Sequence, residues 1–560
     1  MISGLGGNGG LRLGGLASGI DTDDIIKKML TGEQAKVDKA KQERQQVEWK
    51  QEIYRDIIKD IKELQNAYFD ITKKDSLNSG SAFYDYEVKS SNEGIITASA
   101  GQGAVEGNYK VKVNELAAGA RAKATLGNDT TKGTKLNDSI ISQQLKSMGI
   151  DNYKDGFEIK VGDKTFTISG LDDDSTVDDL ANAIKNAKTD DGKEKLSKYV
   201  NVSFSEISKD FTIETKETGL EQKIKIGNGS EIHGQDAEVI ITTPQGGTGT
   251  VKNAKNNFTL DGISFNLRNI STSEEVSLEI TKDVDKTVDR FKDFMKKYND
   301  VVGKINGKLT EKKAYKYKPL TEAQRKEMKE DEIKKWEQKA KEGVLRNDPN
   351  LEKMLRELRG TFFAGVEGCG ESFGRHIGLD TEQDVKKAGQ IRFSDGGEEK
   401  FKKALLERPE DIMELFTKKA DKNDLDNLKR LENLSRSKKA TADEERELRE
   451  VRKKVYNNSG IMTRIDSILK DYVGLPGTTL NSSILTKYAN KQNDYSRTGV
   501  VGSNNLPDQI YRKDNLIKNL DKKLREKEER LYRQFAMMEK AMTKYNAQAG
   551  WLAQQFGGGM

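Results

Sequence analysis

Two long stretches at opposite ends of this chain contain neither glycine nor proline, and both carry apolar residues on a seven-residue repeat. The first, Glu33 to Asp75, reads Ala40, Val47, Tyr54, Ile61 and Tyr68 in one position. Three residues later in each repeat stand Glu43, Lys50, Ile57, Leu64 and Ile71, so the seam is polar at first and apolar from Tyr54 onward. The second, Asp508 to Ala549, sets the register Ile510, Ile517, Leu524, Leu531, Met538, Tyr545 and Leu552, with Phe535, Met542 and Phe556 joining four residues on. Such spacing puts an apolar stripe on one side of an α-helix, and that stripe must be covered. Two readings satisfy it: a pair of amphipathic helices inside a globular domain, or a coiled coil whose ends also meet other subunits.

Between these ends the period changes to two, which places apolar residues on one face of strands. Tyr84/Tyr86/Val88, Tyr109/Val111/Val113, Phe157/Ile159/Val161, Ile224/Ile226, Ile263/Phe265/Leu267 and Val276/Leu278/Ile280 alternate in this way. Gly162-Asp163 and Asp261-Gly262 stand where tight turns are needed. One helix interrupts, opening at Ser175 or Thr176 with Val177, Leu180 and Ile184 inward. The region from Phe83 to Ile280 therefore predicts an antiparallel β region of two small domains. Helix resumes near Val284, with Val288, Phe291, Met295, Tyr298, Val302 and Ile305 on one face. Thr321 with Gln324 spells a capping box, and Asp348-Pro349 opens a further helix. The charged run Lys418–Lys454 predicts a solvated helical hairpin or a mobile insertion. A strand region nested between helices makes pairing of the two terminal helices the expected arrangement.

Composition narrows the function. Of 560 residues, 33% are charged and 34% apolar, so much charged surface must stay in water, as on long helices. A net charge of +5 is nearly balanced for this length and argues against a dedicated nucleic-acid binder. A single cysteine, Cys369, excludes an intrachain disulfide. Two histidines, His233 and His376, far apart in loop-like stretches, are expected to be structural or solvent-facing, leaving little for zinc or triad chemistry. No apolar run reaches the roughly 20 residues that span a bilayer. The N-terminus has no basic segment followed by an apolar one, so export by the general secretory route is not expected.

Other motifs fail on context. Gly4, Gly6 and Gly9 match a dinucleotide fingerprint, but only three residues precede them where a strand is required, so a flexible glycine-rich tail is the expectation. Asp172-Asp173-Asp174 and the run Asp421 to Asp424 lack the rest of a calcium loop and read as solvated turns. Tyr532, Phe535, Met537, Met538 and Met542 read as one packed face, of a kind that tolerates changing partners. No catalytic, cofactor-binding or metal-ligating residues are assigned, and the chain is expected not to be an enzyme.

Several blocks resemble the bacterial flagellar filament cap protein family, also called hook-associated proteins: GGLASGIDTDDIIKKML (Gly14–Leu30), EWKQEIYRDIIKDIKELQNAYFD (Glu48–Asp70), GNYKVKVNELA (Gly107–Ala117), NFTLDGISFNL (Asn257–Leu267), DVDKTVDRFKDFMKKYND (Asp283–Asp300), KPLTEAQRKEMKEDEIKKWEQKAKEGVLRND (Lys318–Asp348) and LYRQFAMMEKAM (Leu531–Met542). The blocks span nearly the whole chain in the family's order, while the charged insertion is longer than the family leads one to expect. The resemblance implies an α+β multidomain fold, with a helical, coiled-coil leg built from both termini and an inserted antiparallel β head of two small domains. The expected division is residues 1–40 as a flexible, filament-inserting segment and 41–82 as the first part of the leg. Residues 83–125 and 250–282 form the head domain next to the leg, with 126–249 as the inserted head domain. Residues 283–507 form the middle of the leg, and 508–560 the C-terminal coiled-coil helix and terminal segment.

The implied function is a ring-like homo-oligomeric cap at the distal tip of the flagellar filament. It retains exported flagellin, promotes its folding and insertion, and is required for elongation. Implied partners are further copies of the chain, flagellin, an export chaperone and hook–filament junction proteins, with no cofactor, nucleic acid or membrane insertion. The implied location is extracellular, reached through the flagellar type III apparatus. The coiled-coil or partner interface is expected to comprise Val47, Tyr54, Ile57, Ile61, Leu64, Tyr68, Ile517, Leu524, Leu531, Phe535, Met538, Met542, Tyr545 and Leu552. Two other readings stay open, an adhesin that binds mucin or a host surface through the head and another axial filament or junction subunit.

Overall fold

The computed structural model describes residues 21–557, apart from 74, 190, 273, 375, 385–386, 438, 477–481 and 491–503. The first 20 residues of the expected terminal segment thus lie outside the described residues. Asp21 caps helix α1 (Thr22–Tyr68) by accepting from the Asp24 N–H, and Asp23 and Asp24 place negative charge at the helix start. Helix therefore begins at Thr22, which corrects the expected boundary at residue 41. The polar first turns of the heptad suggested flexibility, but capping and the apolar pair Ile26 and Leu30 carry the helix through them.

The chain divides into two compact units, residues 80–287 and the remainder. Among the described residues, the first holds four antiparallel sheets arranged around two separate cores. Strands β1 (Tyr86–Ser90), β2 (Ile96–Ala100), β3 (Gly107–Glu115) and β4 (Arg121–Thr125) precede helix α2 (Ser139–Ser147). Then come β5 (Phe157–Val161), β6 (Lys164–Ile168), α3 (Val177–Asn186), β7 (Lys188–Thr189), β8 (Val200–Phe204), β9 (Asp210–Thr215), β10 (Lys223–Ile226) and β11 (Ile232–His233). The unit closes with β12 (Ala237–Thr242), β13 (Thr248–Asn253), β14 (Asn257–Leu260), β15 (Ile263–Leu267) and β16 (Val276–Lys282). A sheet ordered β1-β16-β3-β12-β13 and another ordered β14-β15-β2 share one core, in which Val111, Val239, Leu278 and Phe265 are buried.

A second core holds the sheets β11-β10-β5-β6-β7 and β4-β9-β8 with α2 and α3, around Phe166, Phe211, Ile213 and Ile224. Its chain enters and leaves at one neck, where Ala118 and Gln235 exchange backbone hydrogen bonds of 2.9 Å each way. The inserted part therefore lies between these residues, which corrects the expected 126–249. β12 alternates like any other strand, so its period gave no sign that it belongs to the outer sheet through β3.

One glycine pair locks the inserted core. Gly149 has φ +97°, and a Cβ there would stand 2.1 Å from the Ile226 carbonyl oxygen; one on Gly227 would meet the Gly149 oxygen at the same distance. We expect Gly149→Ala to destabilise this part of the molecule by more than about 2 kcal/mol, from left-handed backbone and steric overlap together. Thermal unfolding followed by near-ultraviolet circular dichroism checks this; an unchanged midpoint would disprove the lock.

The second unit continues from α1 with α4 (Val284–Thr310), α5 (Glu322–Glu327), α6 (Glu330–Lys341) and α7 (Pro349–Phe363). A two-stranded sheet of β17 (Leu379–Thr381) and β18 (Ile391–Phe393) follows. Then come α8 (Gly397–Glu407), α9 (Pro409–Thr417), α10 (Lys422–Arg436), α11 (Ala442–Asn457), α12 (Ile461–Val473), α13 (Ile484–Tyr488) and α14 (Leu506–Gly557). The expected inner face of α4, from Val288 to Ile305, is buried. Thr321 and Gln324 form the capping box, and Asp348 caps α7 with Pro349 in its first turn. The charged insertion is a helical hairpin, α10 against α11, laced by Lys454–Asp424 at 2.9 Å and Arg452–Glu432 at 2.8 Å. Asp421 caps α10, and Asp173 and Asp174 pair with Lys154 and Lys135, so both aspartate runs are engaged within the fold.

Candidate functional site

The two terminal helices run antiparallel. Tyr532 donates to Asp23 at 2.8 Å, Lys527 pairs with Glu33 at 2.7 Å, and Lys513 and Arg44 pair with Glu43 and Asp514. The Lys527 ammonium beside Glu33 holds that carboxyl below its ordinary range. These ion pairs are only half-buried, so solvent screens them and each contributes little to holding the helices together. Apolar closure near the α1 start comes from one small cluster, Ile26, Leu30 and Leu531, with Leu524, Tyr532 and Phe535 half-buried against it.

Farther along, α1 enters a well-packed base. Tyr54, Ile57, Ile61 and Leu64 are each at most 1% exposed. Tyr54 stacks edge-on against Tyr488 of α13 with ring centroids 5.2 Å apart, and its hydroxyl donates to Asp348 at the start of α7. Burial first, and then the Asp348 charge, push the Tyr54 phenol above its ordinary value. Lys50 reaches the same carboxylate at 2.8 Å; burial works against its charge, but Asp348 outweighs this and its pKa is raised. Gln65 donates to the Gly474 carbonyl at 2.9 Å, and Tyr68 packs edge-on against Phe294 of α4.

The expected partner seam therefore splits. Tyr54, Ile57, Ile61 and Leu64 of the expected coiled-coil or partner interface are covered by the chain itself: a heptad marks the face, and α12, α13 and Asp348 at the start of α7 lie against it. Val47, Tyr68, Ile517, Leu524, Phe535 and Met542 are half-buried, and Leu531 is buried between the terminal helices. Met538, Tyr545 and Leu552 are exposed, and Met537 and Trp551 stand with them. From Tyr532 to Gly557, α14 runs 25 residues past its contact with Asp23, about 37 Å at 1.5 Å per residue. Ile26, Leu30 and Trp551 were missed in the sequence reading. The spacing of Ile26 and Leu30 behind the Asp21 cap was the available signal.

No group of three or more His, Cys, Asp or Glu that could hold a metal occurs among the described residues. His233 is exposed beside Glu231 at 3.2 Å, and His376 accepts the Ser372 N–H at 3.1 Å. No helix among the described residues is long and apolar enough to cross a membrane.

Residues 18–120 match the family described as flagellar hook-associated protein 2 N-terminus, and residues 234–547 match flagellar hook-associated protein 2 C-terminus. The interval between the two matches nearly coincides with the inserted core. A flagellar hook-associated protein 2 of Halalkalibacterium halodurans is 26% identical over 578 residues, covering 98% of this chain and 100% of that protein. Among solved structures, the D1-D2-D3 domains of the flagellar cap protein FliD from Escherichia coli are similar at 17% identity and a TM-score of 0.48, covering 78% of this chain and 99% of that one. FliD from Bdellovibrio bacteriovorus is similar at 13% identity and a TM-score of 0.22, covering 34% of this chain and 99% of that one.

Proposed function

We infer that this chain, which belongs to the flagellar hook-associated protein 2 family, caps the flagellar filament. The cap is a plate of several copies at the distal tip that retains exported flagellin, favours its folding and admits it to the growing end. The observation that carries this reading is the contrast along the terminal helix pair. The base around Tyr54 is fully packed, whereas among the described residues the far end has a small apolar cluster, half-buried ion pairs and exposed side chains at Met537, Met538, Tyr545, Trp551 and Leu552. A strongly held base with a weakly held, partly uncovered end can stay attached while its tip exchanges neighbours. Methionines there suit contacts that must repack as each subunit arrives.

The partners are further copies of the chain, flagellin, an export chaperone and hook–filament junction proteins, and export runs through the flagellar type III apparatus. The protein acts structurally, by holding and releasing surfaces. Adhesion through the β unit is the less favoured reading. Electron microscopy of the purified full chain tests the proposal: closed, stubby rings are expected, and open-ended fibres would indicate a filament or junction subunit instead. A strain lacking the chain should release flagellin monomers into the medium and build no filaments. Normal filaments in that strain would end the proposal.

A further inference from the structure

Charge is divided unevenly between the two units. Residues 80–287 carry 25 lysines and arginines against 33 aspartates and glutamates, a net of −8, while the remainder carries 71 against 58, a net of +13. Part of that excess is concentrated in the extended segment between α4 and α5, where Lys312, Lys313, Lys316 and Lys318 are all exposed. None of the four has an ion-pair partner among the described residues. The acids nearby are engaged elsewhere: Glu311 with Lys308 and the Gly343 N–H, and Glu337 with Arg325. The segment is also held in place. Trp336 of α6 donates to the Lys318 carbonyl at 2.8 Å and packs edge-on against Tyr317, with ring centroids 4.7 Å apart. Tyr315 beside it is 74% exposed. Four uncompensated cations and an exposed tyrosine on a pinned strap form a ready surface for an acidic partner, and aromatic anchors are typical of such interfaces.

We propose that this lysine–tyrosine strap is a contact between copies, and that its occupant is the acidic β unit of a neighbouring chain. The inference rests on the cap reading, since it supplies the head-to-tail contact from which a closed ring is built. A patch on one copy that meets a different patch on the next generates a ring when the rotation closes. The charge complementarity is internal to the sequence, because the same chain supplies both the uncompensated lysines and the net-negative unit.

Sedimentation of the full chain and of K312E/K316E/K318E, at about 50 mM and about 500 mM salt, tests this. The wild type should assemble at low salt and weaken at high salt. The variant should melt at the wild-type temperature, its lysines being unpaired, yet associate about tenfold or more weakly at low salt. Carbodiimide crosslinking of mixed isotope-labelled copies should join the strap lysines of one chain to carboxylates within residues 80–287 of another. A wild type that assembles while the variant assembles equally well overturns this inference alone. Intermolecular crosslinks confined to the helical unit, or loss of binding to an anionic vesicle or polynucleotide with assembly intact, overturn it too. A wild type that never self-associates overturns the cap reading with it.

Discussion

Replacing Met538, Tyr545 and Leu552 together with glutamate should abolish filament elongation while leaving folding and export intact. All three are exposed on α14 beyond its contact with Asp23, and glutamate is a good helix former, so the cost to the isolated chain should stay within about 0.5 kcal/mol per site. In a docked state the same positions would bury three carboxylates against apolar neighbours, at several kcal/mol in all. The expected phenotype is secreted flagellin, no filament by electron microscopy, and a soft-agar halo no larger than that of a non-motile control. Leu531→Asp is the informative contrast. It charges the buried centre of the small cluster with Ile26 and Leu30, so amide exchange over the first turns of α1 should lose its protection even in the purified chain. Wild-type swimming by the triple variant would remove the role assigned to this end of the helix.

The largest loss of stability is expected from Arg464→Met. Arg464 on α12 is 2% exposed and serves the C-terminal ends of two helices at once. It donates to the Ala364 and Gly365 carbonyls just past α7, each at 2.7 Å, and to those of Tyr456 and Asn457 at the end of α11, at 2.7 and 3.1 Å. The last carbonyls of a helix have no partner within it, and a cation there also answers the negative end of the helix dipole. Methionine fills similar volume but donates nothing, stranding several buried oxygens. The cost should be about 3–5 kcal/mol, lowering the melting point of the helical unit by on the order of 10 °C. Arg464→Lys should recover only part of this, because an ammonium cannot fork between two helix ends. A melting point unchanged by the methionine variant would show that water replaces the guanidinium at little cost.

Arg464 also shows where the sequence stops being informative. Its neighbours Ile461, Ile465 and Leu469 announce an amphipathic helix, but nothing in their spacing says that one arginine on it turns inward to meet carbonyls about a hundred residues earlier in the chain. The terminal helices, the alternation from Phe83 to Ile280, the helix opening near Thr176, the capping box at Thr321, and the start of α7 at Pro349 were all legible. Each is written in local spacing, and local spacing is what backbone geometry answers to.

Partner choice is not local. Of two similar heptad repeats, that of α1 has Tyr54 and Ile61 covered by the chain's own helices, while that of α14 leaves Tyr545 and Leu552 exposed among the described residues. Strand β12 alternates as regularly as β5, yet belongs to a different core. A period records which face of an element is apolar and leaves open what will lie against that face. That is settled only when segments far apart in sequence compete for the same apolar surface, and only the tertiary structure records the outcome.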